Sequence, residues 1–179
     1  MNLAALAPQW AVVLLMVLLA LAALQDAMQL KISNLICGAV LLLALVVVTL
    51  VGFRLELWQN FLVFAAALTI GTMLFSAGKL GGGDVKLFAV TVFWFDLSAA
   101  LWLLLSVAIA GGILAILIIS IRTVGWSEAA QQRAVILRRK GGIPYGVAIA
   151  AGALLTVSML GPREPLDPRT NWSAVPGQR

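Results

Sequence analysis

The chain contains no histidine and a single cysteine, Cys37. Without histidine there is no Ser-His hydrolysis, no HExxH metalloprotease chemistry and no His-ligated metal. One cysteine allows neither an internal disulfide nor a paired CxxC zinc site, and its place in an apolar run marks it as a small buried filler. No metal and no cofactor is therefore expected. Charge is also scarce, at 11% of residues, against 63% hydrophobic. The mean hydropathy is +1.07. A soluble domain carries more charge and less apolar content. The net charge of +5 fits basic loops facing anionic lipid, so the bilayer is the expected partner and nucleic acid is not.

The chain does have long, unbroken apolar runs. Crossing a bilayer core takes roughly 20 apolar residues as a helix, whereas barrel strands would be short and alternating. The expected fold is all-α, a polytopic membrane helical bundle of about six transmembrane helices. The runs cover residues 10–25, 35–53, 61–77, 85–95, 99–121 and 143–160. The fourth is short for a ~30 Å core, so it reads as a tilted span or a re-entrant piece. The first run lacks a basic n-region and an A-x-A site, and is expected to be a retained helix. One membrane-embedded domain is expected over 1–161. The proline-bearing tail 162–179 is expected to be disordered. Between the last two runs, Ser127, Glu128, Arg138, Arg139 and Lys140 suit either a solvated basic loop or a short helix on the headgroups.

Basic residues set the orientation. Lys31 follows the first run, Lys79 and Lys86 flank the glycines, and Arg122, Arg133, Arg138, Arg139 and Lys140 precede the last run. With six spans these loops share one face, the cytoplasmic one. The opposite loops carry Arg54, Glu56 and Asp96. This topology puts Asp26 and Asp84 on the same face.

Charged side chains in or beside membrane segments are costly and mark function. Asp84 closes the run Gly81-Gly82-Gly83-Asp84, and Asp26 ends the first apolar run. Two carboxylates held close cannot both ionise cheaply, so one keeps a proton. That pair can activate water and protonate a carbonyl oxygen, the chemistry of an aspartyl protease. Helix dipoles alone assign the charge to Asp84, at a helix start, and the proton to Asp26, at a helix end. The glycines, Gly81 and Gly83 among them, are expected to let the backbone bend and an extended substrate approach. Plainer readings stand beside these. Asp84 suits a helix cap, Lys31, Lys79 and Lys86 suit interfacial anchors, and Gly111-Gly112 suits close helix packing. Ser76 and Lys79 could face each other as a Ser-Lys pair. A proton- or cation-coupled transporter would use the same two aspartates without hydrolysis.

The segment Asp26-Ala27-Met28-Gln29-Leu30-Lys31-Ile32-Ser33-Asn34 resembles the first-aspartate motif of type IV prepilin peptidases. Asp26, Lys31, Ile32 and Asn34 carry the match, and Ser33 stands where that family usually has proline. Gly81-Gly82-Gly83-Asp84-Val85-Lys86-Leu87 resembles its GxGD motif with the following lysine. Gly142-Ile143-Pro144-Tyr145-Gly146-Val147-Ala148 is similar to its Pro-Tyr segment before the last helix. The resemblance implies two lobes of helices, with Asp26 and Asp84 catalytic, Gly81, Gly83 and Lys86 in the active-site loop, and Lys31 and Asn34 as supporting motif residues. It implies a multi-pass protein of the bacterial inner membrane that cleaves leaders from prepilins or pseudopilins, with pilus assembly machinery as a further partner. The larger members also carry a methyltransferase domain with paired CxxC motifs. This sequence has only Cys37, so it resembles the short branch serving Flp or tight-adherence pili. Presenilin-like GxGD proteases share the second motif, but there the partner aspartate lies in the segment just before it.

Overall fold

A computed structural model describes residues 1–123 and 142–160 of the chain. The basic segment around Ser127 and the tail 162–179 lie outside the described residues. Seven α-helices occupy the described residues: α1 Leu3–Leu6, α2 Gln9–Gln29, α3 Asn34–Val51, α4 Leu57–Ser76, α5 Gly82–Val92, α6 Leu97–Arg122 and α7 Tyr145–Leu160. The all-α expectation holds. α2, α3, α4 and α6 are long and apolar enough to cross a membrane. α7 has 16 residues. α5 has only 11, which at ~1.5 Å per residue reaches about half-way across.

Local chemistry sets the boundaries. α2 follows Pro8, whose fixed φ suits a helix entry, and stops at Leu30 in the left-handed region, φ 53°. Ser33 caps α3 by accepting from the Leu35 N–H. Gly52, at φ 90°, ends that helix. Asp96 caps α6 through the Ala99 N–H at 2.9 Å. The bend expected within the glycine run lies instead at Gly78, φ 70°. Gly81–Gly83 have no positive φ, and Gly82 and Gly83 already belong to α5.

The helices form two lobes. α2, α6 and α7 pack together on one side, and α4 packs on α5 on the other. α3 touches both α2 and α5, and α5 reaches α7, so these contacts join the lobes. α4 and α6 barely meet. Leu15, Leu19, Val40, Val47, Leu87 and Leu103 fill the interior, while Leu42, Leu50, Ile116 and Leu154 point outward. Water would penalise that apolar exterior, and lipid does not. Cys37 is buried, as its apolar surroundings suggest.

Small residues set how close the helices come. A Cβ on Gly152 of α7 would lie 2.7 Å from the Val107 backbone nitrogen of α6. Neither backbone can yield without parting the hairpin. Gly152→Ala is expected to destabilise the protein by about 2 kcal/mol or more, read as a lower melting temperature in nanodiscs. Gly111 faces Ala148 of α7 in ordinary contact, whereas Gly112 meets nothing within 4 Å. Only half of that glycine pair serves packing.

Candidate active site

The ends of six helices gather at one end of the bundle, bringing together the loops that the charge pattern assigned to one face. Three long-range hydrogen bonds mark the place: Gly146 N–H to Asp26 Oδ2 at 2.7 Å, Lys86 Nζ to Asn34 Oδ1 at 3.0 Å, and Arg122 Nη2 to the Gly142 carbonyl at 2.9 Å. Each lobe contributes one carboxylate, Asp26 from the last turn of α2 and Asp84 from the first turn of α5.

Asp26 is 3% exposed. Its own helix end is a poor place for an anion. The start of α7 compensates: Gly146 is the second residue of that helix, and its N–H has no partner within the helix. Asp26 accepts that bond, so the carboxylate of one helix caps the start of another. Glycine is required there by space. A Cβ on Gly146 would sit 2.9 Å from Asp26 Oδ2, 3.0 Å from Asp26 Cβ and 3.0 Å from Ile32 Cδ1.

Ile32 wedges between the two halves of the site. It touches the Gly146 position on one side and the Gly83 position on the other, where a Cβ would lie 3.1 Å from Ile32 Cβ. Gly81 is close to its own helix's carboxylate, since a Cβ there would lie 2.6 Å from Asp84 Oδ2. The glycine run thus supplies room rather than unusual backbone angles. Asp84 Oδ1 is buried and has no hydrogen-bond donor. Asp84 lies outside the four long helices. Burial, and then repulsion from Asp26, push its carboxyl up to about 6, with the Gly81 backbone pulling weakly the other way.

The remaining motif residues sit around this centre. Lys86 points to Asn34, not to the carboxylates, and ties α5 to the start of α3. Lys31 is exposed. Ser33 makes use of not being proline. Its N–H donates to Gln25 Oε1 at 3.0 Å, and its Oγ caps α3. Gln25 neighbours Asp26, so a bond that proline lacks steadies the end of α2. Ser76 and Lys79 are both exposed. Among the described residues no cluster of three or more Cys, Asp or Glu side chains is placed to hold a metal. Gly146 and Ile32 are the residues that motif reasoning undervalued. Both lie inside segments that carry the resemblance, but the contacts that matter cross long stretches of chain.

The fold and site define a helical membrane protein with two carboxylates at the junction of its lobes. The model of the type IV leader peptidase family matches residues 13–116, which include both aspartates and end before Gly146. The match covers more than half of the chain, and the chain belongs to that family of peptidases. No match is found among curated proteins or among solved structures.

Proposed function

We propose that this peptidase is an aspartic endopeptidase that removes the short leader from Flp-type prepilins or pseudopilins at the cytoplasmic face of the bacterial inner membrane. The observation that carries this reading is the contrast between the two carboxylates. Asp26 is held by the Gly146 N–H, while Asp84 feels Asp26 and has an oxygen with no donor. A backbone N–H is best matched by a charged carboxylate. Asp26 is the more buried of the two, so the contrast lies in their partners: a carboxyl with one oxygen that lacks a donor and a second carboxylate nearby keeps its proton more readily.

The proposed division of labour is therefore the reverse of what helix dipoles alone give. Asp26 carries the charge and takes a proton from water as the oxygen attacks the scissile carbonyl. Asp84, in the protonated fraction that shrinks above pH 6, donates its proton to the carbonyl oxygen. The tetrahedral diol collapses: one hydroxyl returns its proton to Asp84 as the C=O bond re-forms, the C–N bond breaks, and the leaving amine takes the proton from Asp26, which restores both carboxyls. The pair titrates as a unit. With only Cys37 in the sequence, the trimmed product is expected to carry an unmethylated amine.

Purified protein in nanodiscs is expected to convert a Flp-type prepilin into a pilin lacking its leader, read by product mass and the new amino terminus. Asp26→Asn is expected to lower the rate about 10³-fold or more while the protein stays folded in the disc. Ordinary trimming by that variant would remove Asp26 from the chemistry. Ion flux without trimming would favour a transporter.

A further inference from the structure

The site uses one side of α5, where Asp84 and Phe88 line the space between the lobes. Lys86 and Val90 lie on another side of that helix and floor a separate groove of about 330 Å³. Gly38 and Leu41 of α3 form one wall, and Phe64 of α4 stands in the other. The groove exists because α3 and α4 both pack on α5 and scarcely touch each other. Both walls are apolar helices of membrane-spanning length, so the groove opens toward lipid. A Cβ on Gly38 would meet nothing within 4 Å. At one end the apolar lining gives way to Lys86 Nζ and Asn34 Oδ1, 3.0 Å apart. Asn34 opens α3 and Lys86 lies in the second turn of α5, so this is the end of the bundle that holds the two aspartates. Lys86 is exposed, and its charge is met by a neutral amide oxygen rather than by a carboxylate.

From this arrangement we infer that the groove between α3 and α4 is a binding site for one anionic phospholipid, with an acyl chain against Gly38, Leu41 and Phe64 and the phosphate at Lys86. The site is separate from the one where hydrolysis is proposed, and it stands whether or not that proposal does. Charge selects the headgroup. The lysine stem lies along the groove and its amine reaches the polar end, as lysines do near a membrane surface. Lys31, three residues before Asn34, is exposed as well and adds positive charge at this end. Asp84 stands on the other side of α5. Shape selects the tail. The groove is smaller than one turn of helix, at ~10 Å diameter and ~5.4 Å pitch, so a helix of a second copy or of another protein does not fit inside it. A flexible acyl chain does. A free phosphate would meet Lys86 but leave the apolar walls uncovered. The bound lipid braces the helix that carries Asp84 from the side away from the lobe junction.

The test is native mass spectrometry of the full chain released from nanodiscs of equal phosphatidylglycerol and phosphatidylethanolamine. The wild-type protein is expected to keep one phosphatidylglycerol, preferred about fivefold over phosphatidylethanolamine. Lys86→Met keeps the apolar stem and removes the charge, and is expected to bring that ratio to about one, whereas Lys86→Arg preserves it. Gly38→Trp fills the groove and is expected to lose the bound lipid of either kind. Lys79→Met, at an exposed lysine outside the groove, is expected to leave the ratio unchanged. Excess inorganic phosphate is expected to leave the lipid in place. A photoreactive residue at position 38 is expected to capture phosphatidylglycerol. Equal retention of the two lipids by the wild type, an unchanged ratio in Lys86→Met or a retained lipid in Gly38→Trp overturns the inference. So does displacement by inorganic phosphate, or capture of a second copy at position 38. Should one groove variant fail to fold, the other variant and the capture decide.

Discussion

Asp84→Asn is expected to abolish leader cleavage and to make the protein more stable at neutral pH. The catalytic loss is expected to be about 10³-fold or more, because the proposed general acid is gone and only binding and the remaining carboxylate are left. The stability gain follows from burial. Asp84 is pushed from the ordinary 3.8 up to about 6 in the fold. A raised carboxylate resists ionising in the folded state. Below pH 3.8 it is protonated whether folded or not, and it costs nothing. Between 3.8 and 6 the unfolded chain ionises and the folded one resists, so stability falls as pH rises. Above 6 the penalty is complete. Asparagine removes it. Discounted for partial exposure and for the shared proton, the gain is about 1–2 kcal/mol. Melting curves in nanodiscs are expected to coincide for the two proteins near pH 4 and to separate by several degrees above pH 6. Retained cleavage would exclude Asp84 from the chemistry. Coincident curves at every pH would mean that the carboxyl is better solvated than its surroundings imply.

The second large effect is expected at a residue without a functional side chain. Gly146→Val places a branched side chain where Asp26 Oδ2 and Ile32 Cδ1 already sit. Asp26 must turn away from the Gly146 N–H, and a displacement of about 1 Å can cost about 10²-fold in rate. Cleavage is expected to fall about 10²-fold, mainly in kcat, and its pH profile is expected to shift because Asp26 loses its donor. Gly146→Ala is expected to lie between wild type and Gly146→Val. A general loss of packing would lower both substrate handling and melting temperature without moving the pH profile. That profile separates a positioning role from a structural one.

Most of the helices are legible in the sequence because lipid imposes a simple rule: apolar runs of sufficient length become helices. Residues 35–53 and Asn34–Val51 differ by a residue or two at each end. The pairing of Asp26 with Asp84 is legible as well, from the charge asymmetry of the loops and from the motifs around them. What escapes is anything decided by distance across the fold. Gly146 is 120 residues from Asp26, and nothing in Pro144-Tyr145-Gly146 says that its N–H will meet a carboxylate. The dipole argument placed both aspartates correctly, with Asp26 in a last turn and Asp84 in a first turn. It treated each helix as isolated, however, and the start of α7 changes the balance at Asp26. The glycine run likewise invited an argument from backbone freedom, while the fold uses its missing side chains to bring Ile32 and Asp84 close.

The short α5 also bears on how well the protein insulates the membrane. It carries Asp84 at one end and stops after Val92. Beyond it, Phe93, Trp94 and Phe95 are almost completely buried. Asn60, itself fully buried, donates to the carbonyls of Met1, Phe93 and Phe95 at 2.8, 2.8 and 3.1 Å. Phe61 and Phe64 stack edge-on against Phe93. The proposed hydrolysis needs water at Asp84, and a wet acid pair at one end of a membrane bundle is the start of a proton path. Beyond α5, the packed side chains of Phe93, Trp94 and Phe95 place apolar bulk, with no carboxylate or amine among them, in the way of its continuation. The acid pair at one end of the bundle is thereby separated from the other end by packed apolar side chains.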